Sequence, residues 1–126
     1  MNDKIIKIFI SGDFAPRLRV NDVIDKEEYA QLYGDILPII READYSITNL
    51  EAPLIEKGIP IAKTGPNLKA PIKSIEALKF AGISMVTLAN NHIMDYGEEG
   101  LLLTMDLCKK NNIDYIGVGK KLEEAQ

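Results

Sequence analysis

The sequence predicts an α/β fold built on a mainly parallel sheet with helical crossovers. Two observations carry this expectation. Short β-branched runs recur along the chain, and amphipathic stretches with helical spacing separate most of them. That alternation is the order a parallel sheet requires, because parallel strands must be joined by crossovers. A length of 126 residues suits one domain. The proportions of 46% hydrophobic and 27% charged residues are those of a globular chain.

The first run, Ile5 to Ile10, reads as a strand buried on both faces and ends at Ser11-Gly12. Glu27 to Ala43 has apolar residues at Leu32, Ile36, Ile39, Ile40 and Ala43, close to helical spacing; Gly34 and Pro38 predict a kink or a split. Tyr45 to Leu50 is the second strand. Residues 52–71 hold Pro53, Pro60, Pro66 and Pro71 with Gly58 and Gly65, and read as a long excursion of the functional kind. Ser74 to Ala81 is a short helix with Gly82 suited to its C-terminal cap. Ser84 to Ala89 is the third strand, and Gly97 to Asn111 a helix with Leu101, Met105 and Cys108 on one stripe. Ile113 to Ile116 is the fourth strand, before a tight glycine turn at Gly117-Val118-Gly119. Lys120 to Gln126 reads as the start of a helix. A sheet whose last crossover is left open leads us to expect one half of a larger fold: a single, truncated domain over residues 1–126.

Composition excludes several roles. The net charge of −4 provides no electrostatic footprint for nucleic acid or anionic lipid. No apolar run approaches the roughly 18 residues of a membrane span. The polar start and the short first apolar run do not make a signal peptide, so the chain as written is expected to be cytoplasmic. The single cysteine, Cys108, forbids an internal disulfide and sits on a helix stripe, as a core residue would.

Ligands of open parallel sheets sit beyond the carboxyl ends of the strands. Gly12-Asp13 follows the first strand, Asn49 and Glu51 end the second, and Asn90-Asn91-His92 with Asp95 follow the third. All three sets should converge on one rim. His92 is the only histidine, and it falls there. Aspartate, glutamate, asparagine and histidine together suit a hard or borderline divalent cation such as Mn, Fe, Zn or Mg. Two such metals can activate water and clamp the oxygens of the group it attacks.

Gly12-Asp13, Asn49-Leu50-Glu51-Ala52-Pro53-Leu54, Ala70-Pro71 and Leu88-Ala89-Asn90-Asn91-His92-Ile93-Met94-Asp95-Tyr96-Gly97 occur in this order. This set resembles the bacterial capsule-synthesis family, the poly-γ-glutamate biosynthesis proteins. That family is similar in turn to the calcineurin-like metallophosphoesterases, which are built on a four-layered α/β/β/α sandwich. The resemblance runs from the first strand to Gly119 and implies the N-terminal half of such a sandwich. It implies that Asp13, Glu51 and Asn91 bind metal, with Glu51 as the bridging carboxylate. It implies that His92 protonates a leaving group or steadies developing charge, with Asp95 orienting its ring. Where the family's first motif has a histidine two residues after its aspartate, this chain has Ala15. The further histidine motifs of that family have no counterpart here. The function implied is a metal-dependent hydrolase or transferase in capsule or poly-γ-glutamate production, with only part of the site on this chain and a surface-associated role open to it. The alternative is a non-catalytic interaction or scaffold protein that retains the fold.

Each residue also has a plainer reading. Asp13 could turn the backbone after Gly12, Glu51 could be a solvated loop charge, and Asn90 and Asn91 could be turn residues. His92 could be a hydrogen-bonded structural histidine. Asp95 could cap the helix that starts at Gly97, with Glu98 three residues on. Asn49, Asn90 and Lys69 are candidates for substrate contact. Lys63, Lys69 and Lys73 flank the excursion and could meet an anionic polymer or small molecule, or could be solvated. Gly117-Val118-Gly119-Lys120-Lys121 lacks the spacing of a phosphate loop. The expected partners are thus an anionic substrate and either a second copy of the chain or a missing C-terminal half.

Overall fold

A computed structural model describes residues 4–126; the polar start at residues 1–3 lies outside them. Strands β1 (Ile8–Phe14), β2 (Tyr45–Leu50), β3 (Met85–Thr87) and β4 (Asp114–Ile116) form one sheet. Every pairing is parallel, in the order β1-β2-β3-β4. The helices are α1 (Arg19–Asp25), α2 (Tyr29–Tyr33), α3 (Leu37–Glu42), α4 (Ser74–Ala81) and α5 (Gly97–Lys110). The predicted break in the stretch from Glu27 to Ala43 is present. Gly34 has φ of 53°, a short 3₁₀ turn spans Gly34–Ile36, and Pro38 lies in the first turn of α3, where its missing N–H is harmless. Gly82 closes α4 in the left-handed conformation. Helix α1 has no counterpart in the sequence reading. The terminal segment is a 3₁₀ turn, Leu122–Ala125, rather than the start of an α-helix.

The first strand departs from expectation in both place and burial. It begins at Ile8 because β2, its partner, begins at Tyr45, and Ile8 is paired with that residue. Lys7 instead meets the preceding turn, its N–H donating to Asp44 Oδ2 at 2.8 Å. Nor is the strand buried on both faces: Ile8 is 61% and Ile10 72% exposed. The cause is topological. Crossovers between parallel strands are right-handed, so strands laid down in one direction across a sheet send all their helices to the same face. Ile40 of α3, Leu78 of α4 and Met105 and Cys108 of α5 accordingly join Leu50 and Val86 in one core. Ile10, Ile47, Met85 and Asp114 lie in register across the other face, which carries no helix among the described residues.

The next row toward the carboxyl ends of that open face is Asp13, Asn49, Thr87 and Ile116. A register shift between Ile10 and Asp13 brings Asp13 opposite Asn49; such bulges re-aim side chains at the ends of strands. The excursion after β2 is pinned at its base by a bridge between Leu54 and Ala70. Within it Leu54, Ile55, Leu68 and Ala70 are buried. Thr104 of α5 accepts from the Leu54 N–H at 2.8 Å and fastens the excursion to the helix.

Two outcomes follow from this architecture. Gly117 has φ of 95°, and a Cβ there would sit 2.6 Å from the Ala89 Cβ and 2.9 Å from the Ala89 backbone nitrogen. Gly117→Ala should therefore cost about 2 kcal/mol or more of stability, read by chemical denaturation. The bare face should also make the chain self-associate, since exposed apolar sheet faces pair with what is available. Light scattering across a concentration series should show this, and Ile10→Lys should shift the population toward monomer. A wild-type chain that stays monomeric at high micromolar concentration would refute the expectation.

Candidate metal and catalytic site

The polar row is joined by a chain of hydrogen bonds. Asn49 Nδ2 donates to Asp13 Oδ1 at 2.8 Å. Asn49 Oδ1 accepts from Thr87 Oγ1 at 2.9 Å and from Asn90 Nδ2 at 3.2 Å. Asn90 Nδ2 also donates to the Leu50 carbonyl at 2.9 Å. Asn90 Oδ1 accepts from the backbone N–H groups of His92 (3.1 Å) and Ile93 (3.0 Å), folding the loop after β3 around its own side chain. Asp13 is thereby linked through two amides to the loop that carries His92.

At the far end of this chain His92 meets Asp95. Nδ1 lies 2.7 Å from Asp95 Oδ2. The same oxygen accepts from the Leu68 N–H at 2.6 Å, and Oδ1 accepts from the Lys63 ammonium. The Asp95 side chain is 1% exposed. Burial alone would raise its carboxyl, but the Lys63 ammonium, the Leu68 N–H and His92 outweigh burial and hold it below the usual carboxylate range. An ionised carboxylate only accepts, so Nδ1 carries the ring hydrogen in this pair and Nε2 is left for a partner.

The structure separates the candidate residues. Asp13, Asn49, Asn90, His92 and Asp95 belong to the connected network. Glu51 directly follows β2 and its N–H donates to the Phe14 carbonyl at 3.2 Å. Among the described residues, its carboxylate and the Asn91 amide have no hydrogen-bond partner. Asn91 is exposed beside His92. Both ends of the Asn90 amide are bonded within the protein. Lys69 also has a structural partner: its ammonium donates to the Glu56 carbonyl at 2.6 Å and lies 5.7 Å from the Tyr96 ring centre. Lys73 pairs with Glu27 at 2.8 Å. The cap assigned to Asp95 is not formed. Tyr96 precedes α5 and no side chain caps it, because Lys63, Leu68 and His92 engage the Asp95 carboxylate instead.

Sequence reasoning gave Lys63 no place beside His92, and did not single out Thr87. Lys63 lies on an irregular loop where no periodicity fixes its direction. Thr87 was legible only as a strand residue until the register placed it beside Asn49. Among the described residues no three His, Cys, Asp or Glu side chains gather as a metal cluster. The donors present are oxygen-rich, of the type a hard divalent cation takes.

Asp95→Asn should lower stability by about 3 kcal/mol, because it leaves the Lys63 ammonium facing a neutral amide in a largely buried setting. The depressed carboxyl also fixes the sign of the pH dependence. Its contribution is complete above the ordinary carboxyl range of the unfolded chain and is lost as pH falls through the lower folded value. Acid unfolding should therefore be shallower in Asp95→Asn than in the wild-type chain.

The family model for the bacterial capsule synthesis protein PGA_cap matches residues 7–126. The capsule biosynthesis protein CapA of Bacillus anthracis is 27% identical over 128 residues, covering 99% of this chain and 31% of that protein. The PGA biosynthesis protein CapA of Bacillus subtilis is 29% identical over 126 residues, covering 99% of this chain and 33% of that protein. The chain thus spans about a third of the length of these curated relatives. With its metallophosphoesterase-like α/β architecture and this match along nearly its whole length, the chain belongs to the bacterial capsule synthesis (PGA_cap) family.

Proposed function

We propose that this chain contributes part of a metal-dependent hydrolytic or group-transfer site to capsule or poly-γ-glutamate production. The observation that supports it most is the continuous network from Asp13 to the His92–Asp95 pair at the carboxyl ends of three adjacent strands.

Asp13, Glu51 and Asn91 would hold a divalent cation (Mn, Fe, Zn or Mg) through oxygen atoms. Bound there, such a cation would supply an acidified water and a clamp on the oxygens of a carbonyl or phosphoryl centre. The chain's own residues do the rest. Asn49 holds the Asp13 carboxylate through Oδ1, and the other oxygen has no hydrogen-bond partner among the described residues. Asp95 keeps the proton of His92 on Nδ1, so that Nε2 can take up or deliver a proton at the reacting group. Ala15, in place of a histidine, and the lack of a three-ligand cluster among the described residues fit a coordination shell only partly supplied by this chain. They also favour the second reading, a non-catalytic interaction protein that keeps the fold.

Calorimetric titration with Mn²⁺ and Zn²⁺ separates the two. The metal-site reading expects saturable binding by the wild-type chain, weakened by about tenfold or more in Asp13→Ala. No binding, or equal binding by both, favours the interaction protein. The 126-residue chain by itself should show little turnover of phosphodiesters or γ-glutamyl amides. Robust metal-dependent turnover that survives in the chain alone would overturn the partial-site proposal, and His92→Ala would show whether that turnover is its own.

A further inference from the structure

We propose that Lys63 is a positioning residue for His92, acting through Asp95 to fix which ring nitrogen faces the rim. The proposal rests on the reading of this rim as the functional site and adds a residue from the excursion to it. Asp95 has two oxygens to satisfy while almost wholly inaccessible. Oδ2 is shared by the Leu68 N–H and His92 Nδ1, and Oδ1 is bound by Lys63. Were Oδ1 left without a partner, the carboxylate would be free to turn and Oδ2 would lose its fixed approach to the ring.

Lys63 is unlike a solvated surface lysine. Its side chain is 21% exposed, and the backbone on either side of it is tied to the same aspartate. The Ile61 N–H donates to the Asp95 carbonyl at 2.9 Å, and the Leu68 N–H donates to its carboxylate. Asn67 Nδ2 closes the segment by donating to the Ile61 carbonyl at 3.0 Å. The ammonium also lies 3.2 Å from His92 Nδ1. An ammonium can only donate, and Nδ1 has room for one hydrogen bond in the ring plane. The carboxylate is nearer, at 2.7 Å, and its bond is charge-assisted, so it takes that position. Lys63 therefore acts on the ring through Asp95 rather than by direct bonding.

The test exploits the fact that His92 is the only histidine, so its ring nitrogens give the only imidazole signals. With ¹⁵N-labelled, metal-free protein held well above the ordinary imidazole range, long-range ¹H–¹⁵N spectra should show a single Nδ1–H tautomer. Lys63→Met should replace it with a mixture of the two tautomers or with exchange-broadened ring signals, while the backbone spectrum stays folded. Lys63→Arg should restore the single tautomer. Ring signals unchanged in Lys63→Met overturn the proposal; with a lowered melting temperature beside them, they assign Lys63 a merely structural role. Should the Met variant fail to fold, Lys63→Gln is read by the same criterion. The measurement involves no metal and no turnover, so its failure is distinct from the failure of Asp13→Ala to weaken metal binding.

Discussion

The Asp95 carboxylate is the constraint on which the functional end of this fold depends. It lies among groups from two segments far apart in sequence: Lys63 and Leu68 of the excursion and His92 of the loop after β3. A buried carboxylate is stable only if its charge is met and its oxygens are bonded. Here the segments that meet that need are themselves ordered by doing so. The excursion lacks regular structure between its anchored ends, and Asp95 provides both the ammonium's partner and the backbone's. The same carboxylate sets the orientation of the one imidazole in the chain.

A second constraint is topological, and it decides where the polar network can be. Strands added in one direction place the helices, and hence the core, on a single face of the sheet. The opposite face is apolar along most of its length and changes character at one row. Ile10, Ile47 and Met85 give way to Asp13, Asn49 and Thr87 one step nearer the carboxyl ends. Polar side chains there are bonded to one another, which lets them stand at the border of an apolar surface without an unsatisfied group. The bulge before Asp13 is what brings the edge strand's carboxylate into that row, and Thr48 Oγ1 holds it by donating to the Gly12 carbonyl at 2.9 Å.

The core behind this face is ordinary in kind and explains residues that could be mistaken for chemistry. Burial pushes the Cys108 thiol up to about 12, so it is a packing group rather than a nucleophile. The Tyr33 hydroxyl is likewise raised by burial, and it donates to the Ala77 carbonyl at 2.9 Å to tie α2 to α4. Gly117 is required because the chain after β4 passes against the backbone of Ala89.

Periodicity and local chemistry made much of this protein legible without coordinates. The second strand, the helices at Ser74–Ala81 and from Gly97, the split at Gly34 and the parallel order all follow from side-chain spacing and from residues with one preferred conformation. Convergence of Asp13, Asn49, Asn90, His92 and Asp95 at one end of the sheet follows from strand polarity alone. Tertiary structure decided the rest. Burial of Ile8 and Ile10 could not be read from their type, because it depends on whether a second layer exists over that face. Asp95 looked like a helix cap because Gly97 and Glu98 follow it, and became a hub because the distant excursion, together with the neighbouring His92, engaged its oxygens. Local sequence encodes short-range geometry, whereas a charge's partner is chosen among everything the fold brings within reach, and for Asp95 that included Lys63.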